Sequence, residues 1–439
     1  MTATSTLDEV LRWLHADDPL VDAAVHARAR LLLLDTMGCF VAALAKPEPA
    51  AFARQLGDLE PGRVELPGTS HALAPSAAAF LIALGACWDE ACEGLARAHG
   101  RPGLHAIPPA VALGLAEARD LATTLRAIIT GYEVGGRMGE ALRIRPGMHV
   151  DGAWGALAAA ASASRMLSGD AAAGATAIRT VACQVPFSLY APVAAGATAR
   201  NTYVGHGAAL GLMAAVAASA GVTAPVDAIA AYGELALGGP VPELTPAGEY
   251  LILEGYLKPF AAVRHVHYGA QCALDWRAAH GSDTGPISGL KLEIYDEAIQ
   301  YCGNRDPQSA IQAQFSLSWG LAHALVAGDL GPEAYTDAAL GDREIRRLES
   351  LVEIEVDEAL SAAESRGATL TVTAGDMETT TAVTTVAGDP GIPPGEAAVR
   401  AKFSRYATPV VGEDLAARIA DGVMGAPLDT ALSSVLPTR

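Results

Sequence analysis

Lysine is scarce in this 439-residue sequence: Lys46, Lys258, Lys291 and Lys402 are the only four, and 30 basic side chains face 49 acidic ones for a formal net charge of -19. A chain so short of cations cannot neutralise phosphates over a broad surface, which excludes nucleic acid and anionic membranes as partners. Any anionic ligand must be met by a local cluster. CxxC pairs and an HExxH segment are absent, and the six cysteines are dispersed, mostly in apolar runs. They read as buried thiols in a reducing compartment. The opening "MTATSTLDEVLRWLHADDP" has no basic segment ahead of an apolar run, so a cytoplasmic location is expected. Aromatic residues make up 5% of a chain that is 51% hydrophobic. Ala and Gly fill the difference, so "AALGLMAAVAASAGVTAPV" reads as closely packed helices and not as a membrane span, whose insertion depends on larger side chains. A Gly-rich dinucleotide fingerprint after a strand, a phosphate loop and a GxSxG elbow are also missing, so no cofactor is expected.

What is present is helical punctuation. From Leu7 to about Gly233, Ala- and Leu-rich segments such as "PSAAAFLIALGACWDEAC" and "DGAWGALAAAASASRML" alternate with Gly and Pro, the pattern of central helices in a large bundle. After about Lys258, "ISGLKLEIYDEA" and "LVEIEVDEAL" alternate apolar and charged residues, and "ATLTVTAGDMETTTAVTTV" is rich in β-branched residues. These predict two half-buried strands and a hairpin. The tail "GEDLAARIADGVMGAPLDTALSSVL" returns to helical periodicity. The expected fold is mainly α: a large all-helical domain over 1–255 plus 409–439, with a smaller α+β lid inserted at 256–408. A chain of this length exceeds the size at which one core stops growing. The junction of two domains is a favoured place for a cleft.

At that junction "YLKPFAAVRHVHYGAQCALDW" packs Lys258, Arg264, His265 and His267 into ten residues. His265, His267 and Cys272 have no second ligand pair, so zinc is not expected. A solvated basic patch and a carboxylate-binding proton-transfer site are both compatible with the stretch. In the second reading, the cations hold a carboxylate and stabilise the enediolate formed when a neighbouring carbon loses its proton, and a histidine carries that proton. Three other segments add weight to it. His149 stands in a turn before the helix of "RIRPGMHVDGAWGAL", Arg200 and Tyr203 precede a small-residue helix, and Tyr301 occupies a polar loop in "IQYCGNRDPQSAIQAQFSLSW".

In order, these segments resemble the MmgE/PrpD family, which includes 2-methylcitrate dehydratase, cis-aconitate decarboxylase and iminodisuccinate epimerase. "LLLLDTMGCFVAAL", "GMHVDGAWGALAAAAS", "YLKPFAAVRHVHYGAQCALD" and "YCGNRDPQSAIQAQFSLSW" carry the likeness over nearly the whole chain. The resemblance implies a helical domain with an α+β lid, a homodimer, and cofactor-independent chemistry on a small di- or tricarboxylate. It also assigns family active-site positions to His149, Lys258, His267 and Tyr301. Departures fall in "WDEACEGLARAHGRPGLHAIPPA", where Glu90 and Glu93 stand at acidic positions, Gly94 replaces a threonine, and Arg101 or His99 replaces a histidine. Arg200 likewise stands for a lysine and Tyr203 for a histidine. Arginine clamps a carboxylate but does not exchange a proton near pH 7.

The reading expected from the sequence is a lyase, of dehydratase or decarboxylase type, with His149, Lys258, Tyr301 and Glu90 catalytic. Arg101, Arg200, Tyr203, Arg264 and His267 would bind substrate, without metal. An epimerase of a dicarboxylate and a non-catalytic carboxylate-binding homologue are the alternatives.

Overall fold

The computed structural model describes residues 3–438. Long helices begin where the sequence supplies caps: Asp22 accepts from the Ala24 and Val25 amides at the start of the Ala23–Ala43 helix, and Asp120 and Asp170 cap Leu121–Ala141 and Ala171–Ala182 in the same way. The central layer is made of the helices Pro75–Trp88, Pro102–Ala116, Leu121–Ala141, Gly155–Leu167 and Thr202–Ser219, which pack on one another. Small residues permit this closeness. A Cβ on Gly211 would lie 2.5 Å from the Ala159 side chain and 2.6 Å from the Ala160 nitrogen. The apolar stretch at 208–226 is thus part of a packed bundle, and among the described residues no helix is long and apolar enough to cross a membrane.

The expected strands form one mixed sheet in the order Val352–Val356, Ile287–Ile294, Ala368–Ala374, Met377–Val383. Its first pair is parallel, and the other pairs are antiparallel, including the hairpin. Ile287, Leu290, Leu292 and Ile294 turn inward, and the Arg264–His280 helix covers the hairpin side of the sheet. The chain therefore has the mainly α architecture with a small α+β region.

Three expectations need correction. The return to the helical body begins at the Glu396–Val411 helix, which packs along Ala23–Ala43, before the expected boundary at 409. Its periodicity is masked by a charged outer face. Residues 61–64 form a short strand bridged to Leu73 inside the supposedly all-helical part. Cys183 is exposed at the end of a helix, while the other five cysteines are buried and free.

Candidate active site

The site lies where several helix ends converge. Glu90 follows the Pro75–Trp88 helix, Arg101 caps Pro102–Ala116, Asp151 lies in a 3-10 turn before Gly155–Leu167, and Arg200 lies in one before Thr202–Ser219. Lys258 enters from the junction. A two-way bridge between the Gly94 and Tyr256 backbones sets its segment beside the Glu90 loop.

Together these side chains make a buried ionic network. Lys258 Nζ donates to Glu90 Oε2 at 2.9 Å and to the Glu90 carbonyl at 2.8 Å. Arg101 donates to Glu90 Oε2 at 3.2 Å and is in direct contact with Asp151. Arg200 is in direct contact with Glu90, reaches Asp151 Oδ2 at 3.2 Å, and is braced by Asn201 at 2.9 Å. Burial alone would raise the Glu90 carboxyl, but Arg101, Lys258 and Arg200 outweigh it and hold the group well below the ordinary range. Asp151 is lowered likewise, with Arg101, His149 and Arg200 overcoming burial. Both acids are therefore fixed carboxylates at neutral pH, and three cations face two anions.

Glu90 adopts φ 52°, a left-handed conformation costly for a residue with a Cβ. That backbone aims its carboxylate between the three cations while its carbonyl accepts from Lys258. Lys402 reinforces the arrangement from the Glu396–Val411 helix, donating to Asp35 at 2.6 Å, the Ala91 carbonyl at 2.6 Å and the Lys258 carbonyl at 2.9 Å. Two protons of that ammonium tie together the chain segments that carry Glu90 and Lys258, and the third anchors it to Asp35 on the Ala23–Ala43 helix.

Above this floor opens a cleft of about 1000 Å³, lined among others by Glu90, Arg101, His149, Arg200, Lys258 and His265. His149 caps its 3-10 turn, as its position before a helix implied, and Nδ1 accepts from the Asp151 amide at 3.1 Å. The neutral ring then carries its proton on Nε2. Burial lowers its pKa to about 4, so the ring is neutral at pH 7. Its ring lies 6.0 Å from that of Tyr190, Tyr190 lies 5.9 Å from Tyr301, and Tyr301 lies 6.0 Å from His265. This arc of rings runs from the helical body to the α+β region.

Tyr301 lies within the short Asp296–Cys302 helix and not in a loop, and it is 40% exposed at the cleft mouth. Burial and Glu297 raise its hydroxyl pKa. Of the paired histidines, His265 lines the cleft, held by Tyr295 OH at 2.7 Å from Nδ1. Burial lowers it to about 3, with Arg366, His99 and Lys258 acting in the same direction. His267, expected to contact substrate, is fully buried behind it: Nδ1 accepts from Arg264 at 3.1 Å, and Nε2 donates to the Ala262 carbonyl at 3.0 Å. The stretch is helical here, so residues two apart point in different directions.

Arg264 lines the cleft, but its guanidinium is in direct contact with Asp389 and stacks 4.8 Å over Tyr256. Tyr203 does not line the cleft. Its ring stands edge-on to His149 at 5.8 Å, and its hydroxyl donates to the Leu189 carbonyl at 3.1 Å. Arg101, and not His99, occupies the network, while His99 sits at the rim with Nδ1 3.7 Å from Glu297. Glu93 is buried below, with its carboxyl raised to about 8 by burial.

Among the described residues the acids and thiol that cluster closely enough to hold a metal are Cys87, Glu90 and Asp151. Arg101 and Arg200 already direct N–H groups at Cys87 Sγ, at 3.2 and 3.4 Å, and Lys258 completes the ring of cations. A divalent ion would face three positive charges there, so this donor set does not fit one. Asp151, Tyr190, Tyr295, Lys402 and Asn201 were missed by sequence reasoning. For Asp151 a signal existed, because three cations destined for burial need nearby counter-charges.

The MmgE/PrpD N-terminal domain matches residues 14–235, and the MmgE/PrpD C-terminal domain matches residues 260–425. The chain belongs to the MmgE/PrpD family. That membership points to an enzyme of dehydratase type or a related one. No curated protein matches the chain. The two MmgE/PrpD matches leave 236–259 between them, and Lys258 lies in this connecting segment.

Proposed function

We propose that this MmgE/PrpD protein is a cofactor-independent lyase that acts on a small di- or tricarboxylate through an enolate-like intermediate. The observation that carries this reading is the buried network at the cleft floor, where Arg101, Arg200 and Lys258 outnumber Glu90 and Asp151 by one charge. A net cation in a dry site favours a carboxylate and stabilises the negative charge that develops when the adjacent carbon is deprotonated. Lys258 is its closest proton-bearing cation, since the arginines do not exchange protons at neutral pH.

His149 presents an N–H through Nε2 and is suited to donating to a departing hydroxyl or a forming oxyanion. His265, on the lid, is the base. Its low folded pKa rises when a dianion enters, because opposite charge favours the imidazolium. Tyr301 at the mouth supplies a neutral hydroxyl to the same relay. The functional unit is a homodimer.

Epimerisation is the second reading, favoured by one feature: His149 and His265 both line the cleft and stand at opposite ends of the ring arc, which offers two separate proton carriers. Incubation in deuterated water with aconitate, citrate, methylcitrate and aspartate-type dicarboxylates, followed by NMR, separates the outcomes. Loss of water or carbon dioxide supports the lyase. Deuterium entering an unchanged carbon skeleton replaces it with the epimerase, and a rise in melting temperature without turnover leaves only binding.

A further inference from the structure

Most arginines that line the cleft are already committed. Arg101 and Arg200 face Glu90 and Asp151, Arg264 faces Asp389, and Arg97 is shared by Glu140, Glu249 and Glu254. Arg366 differs. It lines the same cleft with 26% of its side chain exposed, and its nearest acid is Glu297, whose Oε2 lies 3.8 Å away. Among the described residues its guanidinium makes no hydrogen bond. Glu297 is itself held loosely, with its other oxygen 3.7 Å from His99.

The loop that carries Arg366 is firmly placed. It joins the Glu358–Ala362 helix to the Ala368–Ala374 strand, Glu364 within it turns at φ 49°, and Ser361 Oγ accepts from the Asp296 amide at 3.0 Å. That bond ties the helix leading into the loop to the helix bearing Glu297 and Tyr301. A cation in a built position, facing the cavity and met only by a loosely seated carboxylate, is arranged as a carboxylate receptor. Its electrostatic reach includes His265 and His99, whose proton affinity it lowers. Lys258 acts on His265 too, which sets this histidine between the inner network and Arg366.

We propose that Arg366 is the outer carboxylate anchor of the site, so that the substrate is at least a dicarboxylate, with one end on the inner network and the other on the lid. Glu297 occupies the anchor until the second carboxylate displaces it. The proposal rests on the carboxylate reading above and adds the residue that holds the second acid group and its placement.

Calorimetric titration of the full chain tests it, using succinate, glutarate and adipate, each against the monocarboxylate of the same chain length. The wild type should bind at least one diacid more tightly than its monoacid. Arg366→Gln should weaken that diacid roughly tenfold or more, as expected for loss of a charge-assisted pair, and leave the monoacid unchanged. Glu297→Gln should tighten the diacid, which a merely structural Arg366–Glu297 contact would not produce. If diacid and monoacid bind equally to the wild type, or Arg366→Gln weakens both alike or neither, the outer anchor is refuted while the inner pocket stands. If the wild type binds no carboxylate, the carboxylate reading falls and the anchor falls with it.

Discussion

Replacing Glu90 with Gln removes the one carboxylate that touches all three inner cations. The network then holds Arg101, Arg200 and Lys258 against Asp151 alone, and Lys258 loses its only ion-pair partner among the described residues. The amide keeps one acceptor oxygen and the shape, so packing is preserved and the change is chiefly electrostatic. Breaking a buried pair on one side typically costs about 3–5 kcal/mol. The two arginines keep Asp151, so a loss near the lower end, about 3 kcal/mol, is expected. Thermal unfolding of Glu90→Gln should therefore begin several degrees below wild type. The same vacancy in charge should be filled by ligand: a carboxylate entering the floor replaces what Glu90 supplied, so saturating succinate should raise the melting temperature of the variant more than that of the wild type. A variant that melts with the wild type, or one that succinate stabilises no more than the wild type, would refute the claim that this network is an anion site held in balance by its own acid.

Acidification provides a second test. His99, His105, His149 and His265 have folded pKa values lowered, chiefly by burial, to about 4, 4, 4 and 3, and burial lowers His267 as well. Below their unfolded value near 6.5 the unfolded chain binds the extra protons, so these groups remove stability as pH falls. Glu93, raised to about 8, works in the opposite direction: its contribution is full below the ordinary carboxyl range and lost as pH rises towards 8. Asp35, Asp89 and Glu133 are raised by burial too and offset part of the loss in the acid range. Unfolding in the acid range should therefore take up protons on balance; denaturation measured at pH 7, 6 and 5 should show falling stability, and a flat or rising profile contradicts the assignment. Lys402→Met should leave the chain folded but loosen Lys258. With four lysines in the chain, selective ¹³Cε-lysine NMR resolves the Lys258 signal, which should shift in the variant, whereas Lys402→Arg should restore it in part. An unmoved Lys258 resonance would reduce Lys402 to a structural tie.

The helical body, the sheet and the family were legible because each rests on local pattern: small residues at helix contacts, alternation in Ile287–Ile294, and motif order along the chain. Lys258 was legible through rarity. What escaped depends on where separate segments meet. Asp151 looks like a helix-opening residue until Arg101 and Arg200 are brought to it from 50 and 49 positions away. His265 and His267 point to different sides of a helix but to the same side of an extended segment, and the apolar pattern around them does not decide between the two. Arg366 lies in "SAAESRGAT", a polar turn like many others, and only the cleft gives it meaning. The tail boundary slipped because Phe403 and Tyr406 bury one side of a helix whose other side is charged and exposed.

The central claim is that Lys258, set by Glu90 and Lys402 at the floor of the cleft, stabilises the developing enolate. Turnover of the carboxylate panel by Lys258→Ala, compared with wild type on protein shown to be folded by circular dichroism, tests it most directly. Loss of a preorganised electrostatic donor should lower the rate by roughly 10²–10³ or more. Activity in Lys258→Ala within a few-fold of wild type would contradict the account.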